Sequence, residues 1–358
     1  MFNQIYKGKK VFVTGHNSFK GSWMCLWLES MGAHITGYSL DPPTIPNHYS
    51  LLDCKVKEIY GDLRNYNDLH TAVKQAEPEI IIHMAAQSSV LYSYQHPIET
   101  LESNLMGTAN LLEACRYVPS VKAIVIVTTD KCYENKEWVW GYREGDPMGG
   151  HDPYSTSKAL AELITTSYRR SFFSVDKYKN SHNVLIASVR SGNIVGGGDW
   201  KEDRLVPDAV KAASQDIKIK IRNPKSTRPW QHVLEPVYGY LLLGQKLLEE
   251  KKEFSGAWNF GPTDEGNRSV LYVVQKLQKY WNKIDYELAI DPNSLYEANL
   301  LKLDCSKATA LLNWKPVWSF TDMLDKTASW YREFYENKRV ISREQLEQYI
   351  QSIERASE

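Results

Sequence analysis

The sequence lacks the features that mark membrane proteins, secreted proteins and nucleic-acid-binding proteins. No uninterrupted apolar run approaches the length of a membrane span, and the N-terminus, MFNQIYKGKK, has no apolar signal core. Lysine and arginine together number 43, and so do aspartate and glutamate, which argues against bulk binding to nucleic acid or to a membrane surface. We therefore expect a soluble protein of the cytoplasm.

Cysteine and histidine are too scattered to build a cross-linked or metal-bound scaffold. The five cysteines form no CxxC pair, and their odd number argues for a reducing compartment and against a disulfide framework. The nine histidines include no HExxH motif and no close pair, so we expect no metal site. The glycine run at 196–199 is not followed by GK[ST], which argues against a P-loop.

The first half of the chain alternates short apolar runs with amphipathic segments. Buried strands are predicted at KKVFVTG (9–15), EIIIHMAA (79–86) and VKAIVIVTT (121–129), and helices at segments such as 20–32 and 96–118. This alternation predicts an α/β fold with a doubly wound parallel sheet, because parallel neighbours need crossover connections. Ligands of such sheets bind at the carboxyl ends of the strands, so the residues that follow each strand are the site candidates.

The segment VTGHNSFKGSW (13–23) predicts a turn that binds the pyrophosphate of a dinucleotide. It follows a strand and opens a helix, with Gly15 at the tight turn and Gly21 where the helix packs on the sheet. Ser18 stands where a third glycine is expected, and its hydroxyl can donate a hydrogen bond to phosphate instead. Asp41 follows the second strand, where a carboxylate binds a ribose hydroxyl and disfavours a 2′-phosphate. The alternative is an ordinary helix entry.

Tyr154 and Lys158 lie four residues apart at the start of a predicted helix and therefore share one face. A lysine ammonium near a phenol lowers the pKa of the phenol, and the phenolate can take a proton from an alcohol while hydride leaves the same carbon. Thr128 and Thr129 end a predicted strand, where their hydroxyls can bind the same substrate oxygen. The alternative is a solvated helix face, since a bare YxxxK is common by chance.

Taken together, these motifs resemble the extended short-chain dehydrogenase/reductases, in which a TGxxGxxG turn, a Thr or Ser after the fifth strand and YxxxK recur. The resemblance covers nearly the whole chain, and within that superfamily it is strongest to the CDP-glucose 4,6-dehydratases. It rests on the strings TGHNSFKGSWM, HMAAQ, TTDKCYEN, YSTSK, RSGNIVGGGDW and RPWQHVLEP. The sequence departs from the family at Ser18, where a glycine is usual.

The resemblance implies an NAD-dependent lyase that converts CDP-D-glucose to CDP-4-dehydro-6-deoxy-D-glucose. Hydride passes internally through NAD and water is lost, in deoxysugar biosynthesis of the lipopolysaccharide O-antigen type. By the same resemblance, Asp130 protonates the hydroxyl that leaves carbon 6. Lys131 takes the proton from carbon 5 if it is neutral, or stabilises the enolate if it is charged. The alternative interpretation of Asp130 and Lys131 is a strand-end ion pair.

The strand ends and the resemblance together give three sets of candidate site residues. The catalytic set is Thr129, Asp130, Lys131, Tyr154 and Lys158. The cofactor-binding set is Gly15, Ser18, Phe19, Lys20, Gly21, Asp41, Asp62, Leu63, Ala85, Ala86, Gln87, Asn104, Thr128, Tyr154 and Lys158. The substrate-binding set is His83, Gln87, Asn193, Arg204, Arg222 and Arg228. The arginines are chosen because guanidinium binds phosphate in a bidentate manner, and the alternative is surface arginines in loops.

The predicted organisation is a Rossmann-like sheet domain with a smaller, interleaved C-terminal substrate-binding domain. We assign residues 1–190, with returning segments near 230–262, to NAD binding. Residues 191–229 and 263–325 are assigned to the nucleotide sugar, and residues 326–358 to a polar C-terminal helical tail. These bounds follow the change to loop-rich sequence after residue 190.

The predicted partners are a small-molecule nucleotide sugar and further copies of this chain. Apolar stripes near 96–118 and 154–173 are broad enough to bury against a partner, and the family often dimerises through an equivalent four-helix bundle. We therefore expect a homodimer or homotetramer that binds neither nucleic acid nor membrane. Two other functions remain open: another nucleotide-sugar 4,6-dehydratase or 4-epimerase, and a catalytically silent NAD-binding sensor protein.

Overall fold

The computed structural model describes residues 2–289 and 300–357 of the chain. The strands are β1 (Lys10–Thr14), β2 (His34–Ser39), β3 (Val56–Tyr60), β4 (Ile80–His83), β5 (Ala123–Val127), β6 (Leu185–Ser191), β7 (Asn193–Val195), β8 (Ile219–Ile221), β9 (Thr227–His232), β10 (Ala257–Phe260), β11 (Asn267–Ser269) and β12 (Tyr286–Leu288). The α-helices are α1 (Phe19–Ser30), α2 (His48–Leu52), α3 (Tyr66–Ala76), α4 (Val90–Gln95), α5 (Pro97–Leu101), α6 (Gly107–Cys115), α7 (Pro153–Ser171), α8 (Leu205–Ser214), α9 (Leu234–Leu248), α10 (Val270–Tyr280), α11 (Ser306–Leu312), α12 (Phe320–Asn337) and α13 (Ser342–Ser357).

Seven strands form one parallel sheet in the order β10-β6-β5-β4-β1-β2-β3. In its register, Val13 of β1 lies between Gly37 of β2 and Ile82 of β4. The strand order reverses between β1 and β4, and open sheets of this type bind ligands at the carboxyl ends of the strands beside such a reversal. The predicted doubly wound, Rossmann-like sheet is confirmed.

The strands at the centre of the sheet are buried along their whole length, because helices cover both faces of a parallel sheet. All four residues of β4 and all five of β5 are buried. Helix α1 is also buried from Gly21 to Leu28, so it packs on more than one side rather than along a single stripe. The single helix expected at 96–118 is instead α5, a π-helical turn at Glu102–Met106, and α6.

Smaller elements follow the sheet. Strand β9 pairs with β7 in parallel and with β11 antiparallel, and β8 pairs with β12. Residues 290–299, which belong to the segment assigned to nucleotide-sugar binding, lie outside the described residues. In the part of the chain that the structure describes, no helix has the length and apolar character needed to cross a membrane.

The segment 326–358, expected to be a helical tail, contains helices that pack into the body of the protein. Trp330 and Tyr331 of α12 and Tyr349 of α13 are fully buried. Glu235 of α9 fixes this region, because its carboxylate accepts hydrogen bonds from the backbone N–H groups of residues 317 and 318, at 2.9 and 2.8 Å, and from the Tyr349 hydroxyl at 2.7 Å. Helices α12 and α13 are therefore part of the fold that supports the site.

Candidate functional site

The turn after β1 contains two glycines at positions where no other residue fits. Gly15 has a φ of 72°, and a Cβ there would lie 2.8 Å from the backbone nitrogen of Ala85. At Gly21 a Cβ would lie 2.0 Å from the carbonyl oxygen of Gly15. The first turn of α1, which begins with Phe19, is thereby held against the turn, and its N–H groups are directed out of the N-terminal end of the helix.

Ser18 caps α1 with its hydroxyl group. Its Oγ donates to the Gly15 carbonyl at 2.7 Å and accepts from the Gly21 N–H at 3.2 Å. A hydroxyl has one hydrogen to donate, and the turn itself uses it. In this structure the side chain stabilises the glycine turn as an N-cap, and its hydrogen bond to phosphate stays a prediction.

The loop after β4 is tied to β1 through buried hydroxyl and imidazole groups. Thr14 Oγ1 accepts from the N–H groups of Met84 and Ala85, at 3.0 and 3.1 Å, and lies 2.8 Å from His83 Nδ1. His83 Nε2 lies 3.2 Å from Thr108 Oγ1. Burial lowers the pKa of His83 to about 3. His83 is thus a neutral internal link with both ring nitrogens engaged in this structure, and its contact with substrate stays a prediction.

Gln87 and Asn104 shape the loop that follows Ala86. Gln87 Nε2 donates to the Ser89 carbonyl at 3.0 Å and to Thr100 Oγ1 at 2.9 Å. Asn104 accepts from the Gln87 N–H at 2.8 Å and donates to Ser157 Oγ of α7, also at 2.8 Å. Both side chains are engaged within the protein and position the loop against α7, and their contact with cofactor or substrate stays a prediction.

The two threonines that follow β5 face different partners. The Thr129 hydroxyl donates to Asp130 Oδ1 at 3.0 Å and lies close enough to the phenol of Tyr154 to lower its pKa. The Thr128 hydroxyl lies on the other side, where it donates to Glu162 Oε1 at 2.5 Å. In this structure Thr129 lies beside the phenol and Thr128 beside Glu162, so the binding of one substrate oxygen by both hydroxyls stays a prediction.

Tyr154 and Lys158 are both buried on the first two turns of α7. Burial raises the pKa of Tyr154 to about 12, and the nearby charge of Arg204 acts in the opposite direction. Burial lowers the pKa of Lys158 to about 8, and Glu162 raises it. Lys158 Nζ donates to the Val127 carbonyl at 3.4 Å. In this structure the guanidinium that lowers the pKa of the Tyr154 phenol belongs to Arg204, which lies outside the YxxxK motif.

Asp130 is the buried carboxyl group of the cluster. Its Oδ1 accepts from Thr129 Oγ1 at 3.0 Å, and its Oδ2 has no hydrogen-bond partner among the described residues. Burial raises the pKa of Asp130, while Lys131 and Arg228 lower it. A buried carboxyl group with one oxygen directed away from protein donors is suited to carry a proton as a general acid. Lys131 itself is half-buried.

Lys20 lies in the same cluster, although the sequence assigned it to the cofactor alone. Burial lowers the pKa of Lys20 to about 7, the charges of Lys158 and Arg204 lower it further, and Asp130 raises it. Its ammonium also lies 5.5 Å from the ring centroid of Tyr240. Residue 20 therefore links the first turn of α1 to the groups around Tyr154.

A buried ion pair that the sequence reasoning missed holds α7 beside β5 and β6. Glu162 accepts from Arg190 Nη2 at 2.9 Å and from Ser188 Oγ at 2.7 Å, in addition to Thr128. Arg190 Nη1 in turn donates to the Tyr133 hydroxyl at 2.7 Å. The signal was present, because Glu162 lies four residues after Lys158 and shares its helix face.

The predicted substrate arginines lie in different surroundings. Arg204 Nη1 donates to Asp199 Oδ2 at 2.8 Å and Nη2 to Ser88 Oγ at 3.1 Å, which brings its charge close to Tyr154. Arg228 is buried in β9, near enough to Asp130 to lower the pKa of that carboxyl group. Arg222 is 47% exposed and pairs with Asp203 at 3.5 Å.

Four other predicted positions lie along the carboxyl edge of the sheet. Asp41 is exposed just after β2, on the edge that also carries Gly15. Asp62 pairs with Arg64 at 2.6 Å, and this bond lowers the pKa of Asp62. Leu63 is buried, and Asn193 begins β7 in a half-buried position.

Comparison with known proteins gives both a family and a fold. Residues 12–327 match the model of the family described as GDP-mannose 4,6-dehydratase. CDP-glucose 4,6-dehydratase of Salmonella typhimurium is 46% identical over 355 residues, which cover 98% of this chain and 99% of that protein. Among solved structures, the dTDP-glucose 4,6-dehydratase of Bacillus anthracis in complex with NAD has a TM-score of 0.75 at 21% identity, covering 93% and 99% of the two chains. An epimerase of Methanothermobacter thermautotrophicus reaches 0.81 at 22%, covering 94% and 96%.

Proposed function

The chain belongs to the GDP-mannose 4,6-dehydratase family, and on that premise we propose that it converts CDP-glucose to CDP-4-dehydro-6-deoxyglucose with bound NAD. The observation that carries the proposal is the buried carboxyl group of Asp130 beside the Thr129–Tyr154 pair. An oxidation alone needs only the tyrosine, whereas the loss of water also needs an acid. The choice of CDP-glucose is supported by the 46% identity to the Salmonella enzyme.

The glycine turn fits a dinucleotide. At Gly15 and Gly21 two backbone segments approach so closely that a side chain would not fit between them. The N-terminal end of α1 favours the negative charge of a pyrophosphate. Asp41 is the carboxylate proposed for the ribose hydroxyls, with the residues around Asp62 and Ala86 completing the cofactor edge. Bound NAD supplies the acceptor for hydride from carbon 4 and the donor of hydride to carbon 6.

We expect Ser18→Gly to change the affinity for NAD by less than about three-fold, or about 0.7 kcal/mol. The reason is that the Ser18 hydroxyl is engaged with Gly15 and Gly21 inside the turn. Isothermal titration calorimetry of the purified variant measures this. The matched control is Gly15→Ala, which places a Cβ against Ala85 at a φ of 72° and should weaken binding by about ten-fold or more. A ten-fold change for Ser18→Gly would mean that the hydroxyl contacts the cofactor.

In the first step, Tyr154 takes the proton of the carbon-4 hydroxyl, so that carbon 4 becomes a ketone. The Thr129 hydroxyl lies beside the phenol and lowers its pKa. Lys158, whose pKa is lowered to about 8 by burial, is still mostly charged at neutral pH and favours the phenolate form. The surrounding burial excludes water from the reacting atoms.

In the second step, the ketone acidifies carbon 5, and water is lost across carbons 5 and 6. Asp130 gives its proton to the departing carbon-6 hydroxyl, and the C–O bond breaks as the double bond to carbon 5 forms. The neutral amine of Lys131 takes the carbon-5 proton, and the ammonium so formed stabilises the enolate charge. The carbon-5 proton is returned when carbon 6 has been reduced, and the net change is the loss of one water.

The nucleotide half of the substrate is proposed to bind on the side of the site that carries Arg204, Arg228 and Asn193. The two guanidinium groups lie near Tyr154 and Asp130 respectively, so a diphosphate between them would bring the hexose to the acid and the base. Arg222 remains a candidate to bind the outer part of the nucleotide, and such binding would replace its contact with Asp203.

We also propose the domain division given by the sequence, with residues 1–190 and 230–262 for NAD and residues 191–229 and 263–325 for the nucleotide sugar. The five cysteines are all unpaired, which favours a reducing cytoplasm. The helices around α7 expose large apolar side chains, which supports a homodimer or homotetramer. These side chains are Tyr92, Ile98, Met106 and Leu163. Analytical ultracentrifugation that finds only single chains at micromolar concentration would overturn the oligomer.

The test of the proposed function is mass spectrometry of CDP-glucose, dTDP-glucose and UDP-glucose after incubation with the protein and NAD. We expect CDP-glucose alone to lose one water without net accumulation of reduced cofactor. An unchanged mass with an altered sugar configuration would identify a 4-epimerase instead. No change in any of the three sugars, in a protein that binds NAD, would identify a silent binding protein.

A further inference from the structure

Tyr331 of α12 makes two hydrogen bonds to one residue that lies 132 positions earlier in the chain. Its hydroxyl donates to the Asp199 carbonyl at 2.6 Å and accepts from the Asp199 N–H at 2.9 Å. The ring is fully buried between Trp200 and Trp330. A single hydroxyl thus holds both backbone groups of Asp199.

Asp199 in turn holds a cation at the site. The Asp199 carboxylate is 4% exposed and accepts from Arg204 Nη1 at 2.8 Å. Arg204 Nη2 and Lys201 Nζ both donate to Ser88 Oγ, at 3.1 and 3.0 Å. The Arg204 guanidinium is therefore fixed between a carboxylate whose backbone is bound to Tyr331 and a hydroxyl of the loop after β4.

The backbone before Asp199 does not fix that position by itself. Gly196 and Gly198 have φ values of 158° and 90°, and glycine chains of this kind adopt many conformations. A Cβ at Gly197 would lie 1.9 Å from Cγ of Trp330, so α12 packs directly against the glycine run. The position of Asp199 thus depends on α12, and the position of Arg204 depends on Asp199.

We propose that Tyr331 is a positioning residue that, through Asp199, holds the Arg204 guanidinium beside the Tyr154 phenol and the substrate diphosphate. This inference rests on the proposed function, because it gives Arg204 a phosphate and a phenolate to act on. A cation near Tyr154 stabilises the phenolate, and a displaced cation leaves it less stable. Besides Arg204 and Lys158, the groups that affect the phenol are Thr129, Asp130, Asp152 and Tyr240. None of these groups is connected to Tyr331 through Asp199, so the replacement of Tyr331 leaves them unchanged.

The test compares Tyr331→Phe with Tyr335→Phe. Tyr335 lies one turn later on α12, and its hydroxyl accepts from Trp200 Nε1 at 2.9 Å. The control therefore removes an α12 hydroxyl that binds the residue next to Asp199 without removing a bond to Asp199 itself. For Tyr331→Phe we expect an affinity for CDP about five-fold weaker and a kcat/KM for CDP-glucose about ten-fold lower. The rising limb of the kcat/KM pH profile should also move to higher pH by about half a unit, since the phenol loses a stabilising cation. Tyr335→Phe should stay within about two-fold in both quantities.

Calorimetry with CDP keeps this inference separate from the proposed function. A wild-type protein that binds CDP but leaves CDP-glucose unchanged overturns the proposed reaction, whereas weaker CDP binding by Tyr331→Phe alone still supports the positioning role. Wild-type CDP affinity and an unmoved pH profile in Tyr331→Phe overturn the inference. Equal losses in Tyr331→Phe and Tyr335→Phe, matched by equal losses of thermal stability, also overturn it, because they mean that α12 acts only through folding.

Discussion

Tyr154→Phe lowers the turnover of CDP-glucose by about a thousand-fold, which is the range expected for the loss of a general base. The phenol is buried, and Thr129 and Arg204 lie close enough to lower its pKa. Phenylalanine fills the same volume and cannot accept the carbon-4 hydroxyl proton, so the first oxidation fails. The measurement is the rate of loss of water by mass spectrometry, together with the affinity for CDP, which should change little.

The matched control is Tyr168→Phe, on the same helix. Its hydroxyl donates to Glu113 at 3.0 Å and lies away from the site, so we expect turnover within about two-fold of wild type. If Tyr154→Phe retained more than about a tenth of the wild-type rate, the phenol would not be the base of the oxidation. In that case the neutral amine of Lys20, whose pKa is lowered to about 7 by burial, would become the next candidate for the base.

Asp130→Asn has the second large expected effect, and it falls on a different step. The amide has the shape of the carboxyl group but has no acidic proton to give to the leaving hydroxyl. We expect product formation to fall by about a hundred-fold or more, while the oxidation at carbon 4 continues. The enzyme then stalls before the loss of water, and reduced nicotinamide becomes detectable by its fluorescence. Asp130 can carry the proton for this step because burial raises its pKa and favours its protonated form.

Asp176→Asn is the control for this substitution, because its carboxylate is exposed and far along the chain from the site. It should leave both the fluorescence and the turnover at wild-type values. An Asp130→Asn protein that loses turnover without any accumulation of reduced nicotinamide would show that Asp130 acts in the oxidation itself. Wild-type turnover in Asp130→Asn would remove the acid from the proposed mechanism.

The sequence predicted the central sheet well because its signals are local. Continuous apolar runs such as 79–86 and 121–129 become β4 and β5, and the glycines at 15 and 21 stand at the turn between β1 and α1. Periodicity and glycine positions depend on backbone geometry within a few residues. The prediction of a single helix at 96–118 was less accurate, because the π-helical turn at Glu102–Met106 has no comparable local signal in the sequence.

The direction of individual side chains was much harder to predict. Thr128 and Thr129 are adjacent and chemically alike, yet one binds Glu162 and the other faces Tyr154. His83 looked like a ligand residue from its position after a buried strand, but Thr14 and Thr108 engage both of its nitrogens. Which face a strand-end residue occupies depends on the register of the strand in the sheet, and the register is set by neighbouring strands.

The sequence by itself determined the doubly wound sheet, the glycine turn and the residue types of an oxidation followed by loss of water. Only the tertiary structure decided that Ser18 caps its own turn, that Asp130 is buried with one free oxygen, and that Tyr331 reaches Asp199 from α12. The physical reason is that burial and hydrogen bonding join residues far apart in the chain, as with the 132 positions between Asp199 and Tyr331. Local patterns carry no information about such pairs, whereas a packed core selects them through the fit of whole elements.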